Sequence, residues 1–130
     1  MNNCIFCKIV EGKAPCYKIY EDEKFMAFLD IFPIVEGQII IIPKKHEPEY
    51  FFNLNDEDYM ELMRLSKEIA KAIDKSVKPI KTGMIVEGFE LGHVHVKLFP
   101  LNEGFHLGKS ILKFSEEEMK SIAEKIKEKI

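Results

Sequence analysis

The nine residues GHVHVKLFP, residues 92–100, alternate chemical and apolar side chains. In an extended strand successive side chains point to opposite faces. That spacing sets His93, His95 and Lys97 on one face and Val94, Val96 and Leu98 on the other. One face therefore belongs to a core and the other to water or to chemistry. Taken alone, the pattern fits an edge strand with a solvated polar face as well as a strand that presents two imidazoles to a ligand.

Upstream of it, IKTGMIVEG reads as a second strand, with a turn between the two near Gly88 to Gly92. QIIIIP, ending at Pro43, is an apolar run of strand length. YKIYEDE and KFMAFLD read as a hairpin around the acidic turn Glu21 to Glu23, and IFPIVEG, with Pro33 and Gly37, reads as a loop. Between these strands lies the clearest helix, from Asn55 to Ser76. Asn55 is its N-cap, Asp56, Glu57 and Asp58 form its first turn, and Tyr59, Leu62, Met63, Ile69 and Ile73 share one face. A short helix or turn is expected before Gly12. Ser115 and Glu118 form a capping box for a tail helix carrying Met119, Ile122, Ile126 and Ile130. Hairpin strands with segregated helices predict an α+β fold: an antiparallel sheet of about five strands, a long central helix and a C-terminal helix, in a single domain over residues 1–130.

Composition narrows the partners. Of 130 residues, 22 are Asp or Glu and 19 are Lys or Arg, a formal charge of −3. The lysines are interleaved with acids, so no basic face for nucleic acid is expected. The longest apolar stretches, FMAFL and IIIIP, fall far short of the roughly 18 residues that cross a bilayer. MNNCIFCKIVEGK has neither a basic start nor an apolar segment of secretory type, which makes a cytoplasmic protein the expectation.

Three cysteines make a disulfide framework unattractive. Cys4 and Cys7 form a C-x-x-C whose spacing lets two thiolates share one tetrahedral zinc, provided two more ligands exist. A redox pair and two buried thiols remain alternatives, although no strand precedes Cys4 as a redox helix would require. Cys16, Lys44, Lys45 and His106 read as structural or surface residues.

Taken in order, CIFCKIVEGKAPCYKIYED, FMAFLDIFPIVEGQIIIIPKKH and GHVHVKLFP resemble the histidine triad family of nucleotide hydrolases and transferases, over roughly residues 4–102. The resemblance implies a structural zinc held by Cys4, Cys7, His46 and His93. It implies that His95 is the nucleophile that takes a nucleotidyl group from a purine nucleoside phosphoramidate or a dinucleoside polyphosphate. An imidazole suits that task because its ordinary pKa of about 6.5 leaves a nitrogen lone pair at neutral pH. Ile5, Phe6, Ile9, Phe28 and Leu29 match the family's apolar nucleoside slot, Ile31 would line its edge, and Asp30 matches its ribose ligand. Backbone amides near Gly88 and Gly92 would meet the phosphate oxygens, and a homodimer is implied. The chain departs from the family pattern in four ways. Lys97 replaces the third histidine, Phe89 stands where many members carry a polar residue, Glu90 brings a carboxylate, and the segment between His46 and His93 is shorter. Lys97 can hold a phosphate as a permanent cation. The rival expectation is a nucleotide-binding or interaction module in which Lys97 leaves little turnover.

Overall fold

The computed structural model describes residues 3–105 and 113–129. Helix α1 spans Ile5–Val10, strands β1 to β3 span Lys18–Glu21, Phe25–Leu29 and Ile39–Pro43, and a 3-10 turn spans Phe51–Asn53. Helix α2 follows at Asp56–Ser76, then β4 at Lys81–Ile85, β5 at Val96–Leu101 and α3 at Glu116–Lys127. The five strands form one antiparallel sheet in the order β1-β2-β3-β5-β4. His106 lies outside the described residues, as does Ile130.

The apolar run of β3 is continuous because both faces of the sheet are covered there. Ile39 and Ile41 enter a core shared with Phe25, Ala27, Val96 and Leu98 and with Leu62, Leu65, Ile69 and Ile73 of α2. Ile40 and Ile42 turn the other way, joining Phe6 of α1 with Met26 and Phe28. Two period-two strands thus build two cores. Helix α2 spans 21 residues and lies along one face, whereas α1, six residues long, covers part of the other. The part that α1 leaves open becomes a trough.

Local signals explain the elements. The Asn55 side chain accepts from the Asp58 amide at 2.8 Å, closing the first turn of α2 behind three acidic residues that favour a helix N-terminus. Lys24, on the hairpin, reaches Glu57, Asp58 and Glu61 and ties that helix end to β2. The Ser115 hydroxyl and the Glu118 carboxylate cap α3 reciprocally.

The His-x-His segment departs from the edge-strand reading. The edge is β4, and β5 lies between β3 and β4, with Ile40 opposite Lys97 and Ile85 opposite Lys97 on the other side. Regular pairing starts at Val96, so His93 and His95 close an irregular connection over residues 86–95 that enters the sheet interior. Both imidazoles are buried, His93 at 0% and His95 at 4% exposure. Alternation gave their face correctly but carries no information on which strand has neighbours.

Candidate active site and metal centre

Cys4 is the N-cap of α1 and Cys7 sits one turn on, so the helix geometry brings both thiols to one side; the Cys7 amide donates to Cys4 Sγ at 3.3 Å. His46 follows β3 and His93 precedes β5, its paired neighbour, which delivers two imidazoles to the same spot. The sulfur-to-nitrogen separations are 3.2 Å for Cys7 to His46 Nδ1, 3.4 Å for Cys4 to His93 Nδ1 and 3.6 Å for Cys7 to His93 Nδ1. All four donor atoms lie within 4.8 Å of one another. A tetrahedral zinc, with bonds of about 2.3 Å to sulfur and 2.0–2.1 Å to nitrogen, requires S···N edges of about 3.6 Å. The three S···N separations come close to that edge, and two thiols with two imidazoles are a donor set that suits the ion.

The outer nitrogens are also held. His93 Nε2 donates to the Pro43 carbonyl at 2.8 Å, which turns the Nδ1 lone pair toward the thiols. His46 Nε2 faces the Glu49 carboxylate at 3.4 Å. Glu49 also packs over Gly92, whose missing Cβ would lie 3.5 Å from that carboxylate. Burial holds the His93 pKa below the ordinary imidazole value, favouring the uncharged ligand form. Burial, helped by the hydrogen bond and charge of Cys4, pushes the Cys7 thiol up to about 11. A bound cation reverses that preference, because thiolate is the form that ligates metal.

His95 stands next to this cluster. Its Nδ1–H donates to the His93 carbonyl at 2.8 Å, so in the neutral ring Nε2 carries the lone pair. Phe6 lies edge-on to it at 5.3 Å between centroids, and is tilted against Phe28 at 5.7 Å. His95 lines a cavity of about 790 Å³ in the trough that α1 leaves open. Ile5, Phe6, Ile9, Phe28, Leu29, Asp30, Ile31 and Lys97 line the same cavity. Gly88, at φ +75°, and Gly92 are not among its lining residues; Glu87, Glu90 and Leu91 of that connection are.

Asp30 is held from several directions. Its Oδ1 accepts from the Phe32 amide at 2.9 Å and its Oδ2 from Gln38 Nε2 at 2.6 Å, while Gln38 Oε1 accepts from the Ile34 amide at 2.8 Å. Lys97 Nζ lies 4.0 Å from Asp30 and 3.3 Å from Glu90. An apolar wall of Ile5, Phe6, Ile9 and Phe28 beside a fixed carboxylate, an imidazole and an ammonium can accept a nucleoside whose phosphate points at His95.

The family model for the HIT domain matches residues 11–104. The chain belongs to the HIT family. It is 38% identical over 133 residues to a Schizosaccharomyces pombe protein named adenosine 5′-monophosphoramidase, covering 98% of each chain. It is 37% identical over 99 residues to a Saccharomyces cerevisiae protein of the same name, covering 75% of this chain and 61% of the other. Among solved structures, a Bacillus subtilis HIT-family protein superposes with a TM-score of 0.82 at 30% identity, covering 98% of this chain and 97% of that one. A Candida albicans histidine triad nucleotide-binding protein gives 0.73 at 30% identity, covering 98% and 96%.

Within this HIT chain the structure adds residues that the sequence did not single out. Gln38, 3% exposed, fixes Asp30; the one signal for it is a polar residue opening the buried run QIIIIP. Cys16 lines the same cavity as His95, whereas the sequence placed it among structural or surface residues. Lys44 is paired with Glu21 at 2.6 Å. Among the described residues no helix is long and apolar enough to cross a membrane.

Proposed function

We propose that this HIT protein is a cytoplasmic, homodimeric nucleotide hydrolase that cleaves purine nucleoside phosphoramidates, or dinucleoside polyphosphates, through His95. The observation that carries the reading is the His95 tautomer, fixed by the His93 carbonyl at 2.8 Å, on the wall of a nucleoside-sized cavity. The activity for which the two yeast relatives are named supports the same substrate class.

Nε2 of His95 attacks the α-phosphorus, forming an N–P bond as the bond to the leaving amine breaks; that amine takes its proton from solvent water and departs. Water then attacks phosphorus, releases the nucleoside monophosphate and returns the electron pair to Nε2. Asp30 accepts from the ribose hydroxyls, and the apolar wall takes the base by shape and stacking. Lys97 places an ammonium beside the phosphate, lowering the cost of charge on its oxygens without acting as a neutral acid–base. Lys97→Met is therefore expected to raise KM about tenfold, the order of one phosphate ion pair, with a smaller change in kcat. Steady-state kinetics on an adenosine phosphoramidate checks the split.

Cys4, Cys7, His46 and His93 would hold zinc as a closed four-ligand site, which supplies a crosslink between α1 and the sheet and no open coordination position. Glu49 accepts from the outer nitrogen of His46 and so orients the ring. Glu49→Gln is expected to weaken zinc affinity by about tenfold, read by competition with a chromophoric chelator.

Release of AMP from an adenosine phosphoramidate by purified protein tests the hydrolase. AMP binding without release would favour a binding module with Lys97 in the third position of the motif. Light scattering that returns the mass of one chain would remove the dimer.

A further inference from the structure

The cavity's charges are unusual for a site that must accept an anion. Asp30, Glu87 and Glu90 line it, and among the described residues Lys97 is the only Lys or Arg that does. Asp30 is committed to Gln38, the Phe32 amide and, in the proposed function, the ribose. Glu90 is different. It rides on the irregular connection at 72% side-chain exposure and reaches inward to Lys97 at 3.3 Å, while the Lys97 side chain is 17% exposed. A phosphate that approaches Lys97 meets Glu90 already there.

We infer that Glu90 is a specificity-determining residue that restricts this site to substrates whose only phosphate charge sits at the reacting phosphorus. The inference rests on the nucleotidyl reading of the cavity. A nucleoside phosphoramidate monoester carries one charge, which Lys97 can match while Glu90 swings toward solvent. A dinucleoside polyphosphate, or ATP, carries further charges beyond the reacting phosphorus, and among the described residues no second Lys or Arg lines the cavity to receive them. Those charges are left facing Glu90 and Glu87. A like charge about 4 Å away costs roughly fivefold in affinity even at the dielectric of water, and more where walls exclude solvent. The carboxylate thus does little to the singly charged substrate, whose charge Lys97 absorbs, and discriminates against every longer phosphate chain.

Glu90 is exposed, so Glu90→Gln removes charge with little risk to folding, and Glu90→Asp keeps the charge. The wild-type protein, Glu90→Gln and Glu90→Asp are assayed without added divalent cation on an adenosine phosphoramidate monoester and on diadenosine triphosphate. The wild type is expected to favour the phosphoramidate in kcat/KM by about twenty-five-fold, two like-charge contacts at fivefold each. Glu90→Gln is expected to raise kcat/KM for the triphosphate about fivefold while moving the phosphoramidate less than twofold. Glu90→Asp should restore most of the discrimination, and raising salt should narrow the gap. A wild type that prefers the triphosphate, or a ratio that Glu90→Gln leaves unchanged, overturns the inference.

A second measurement does not depend on turnover. Calorimetric affinities of AMP, ADP and ATP for a His95→Ala background are expected to fall as phosphates are added and to level out when Glu90→Gln is combined with it. Affinities that rise with phosphate number in the presence of Glu90 also overturn the inference. A protein that hydrolyses neither substrate yet shows this binding order would remove the hydrolase and keep the role of Glu90.

Discussion

His95→Ala is expected to lower the hydrolysis of an adenosine phosphoramidate by at least roughly a thousandfold, the scale on which losing a covalent nucleophile is felt. AMP should still bind, because the apolar wall and Asp30 remain in place. The expectation follows from what is absent around the ring as much as from what is present. The His93 carbonyl fixes His95 Nδ1–H, and among the described residues that line the cavity no other histidine and no serine is available to replace Nε2. Cys16 is the one other soft nucleophile on that wall. Since His95 is 4% exposed, alanine leaves a void, and thermal unfolding of the variant controls for a folding defect. Mass spectrometry of wild-type protein quenched during turnover should find a nucleotidyl adduct that the variant lacks. A variant that retains more than a tenth of the wild-type rate would remove His95 from the chemistry.

The second large effect is expected from the metal. Stripping zinc, or replacing Cys7 by serine, should lower Tm by about 10 °C or more, given some 3 kcal/mol lost and roughly 3–5 °C per kcal/mol for a domain of this size. Helix α1 has six residues, too few to be stable alone, and it is fastened to the sheet by Phe6 on one side and the cysteines on the other. Loosening it moves Ile5, Phe6 and Ile9, so AMP affinity should fall in step with the metal content. An elemental assay on the same samples, with Tm unchanged as zinc is lost, would show that the site does not bear structural load. Metal uptake must also displace protons from the thiols, so affinity is expected to rise with pH, most steeply while Cys7, at about 11, is still protonated.

How far such features were legible from sequence depended on whether their cause is local. Helix α2 was readable from end to end because its cap, acidic first turn and apolar stripe all lie within 22 positions, residues 55–76. The β3 run signalled burial on both sides, and the hairpin signalled its acidic turn. The His-x-His segment announced chemistry but not its setting, since only the sheet order, with β5 between β3 and β4, makes it interior. Gln38, Glu49 and Cys16 take their roles from contacts with Asp30, His46 and the cavity that no periodicity encodes. The Lys97–Glu90 contact spans seven positions, yet both residues were visible only as departures from a pattern, with nothing in the sequence to say that they touch.

The alternation of β3 and β5 divides the strands by parity. On β3 the odd positions, Ile39 and Ile41, meet α2, and the even ones, Ile40 and Ile42, join the α1 side; across the ladder the parity reverses, with Val96 and Leu98 toward α2 and His95 and Lys97 toward the cavity. Neighbouring residues one peptide apart therefore answer to different demands. Laboratory evolution can exploit this: a library confined to the cavity-side parity samples substrate scope against an untouched structural half, and one confined to the other samples robustness at constant chemistry.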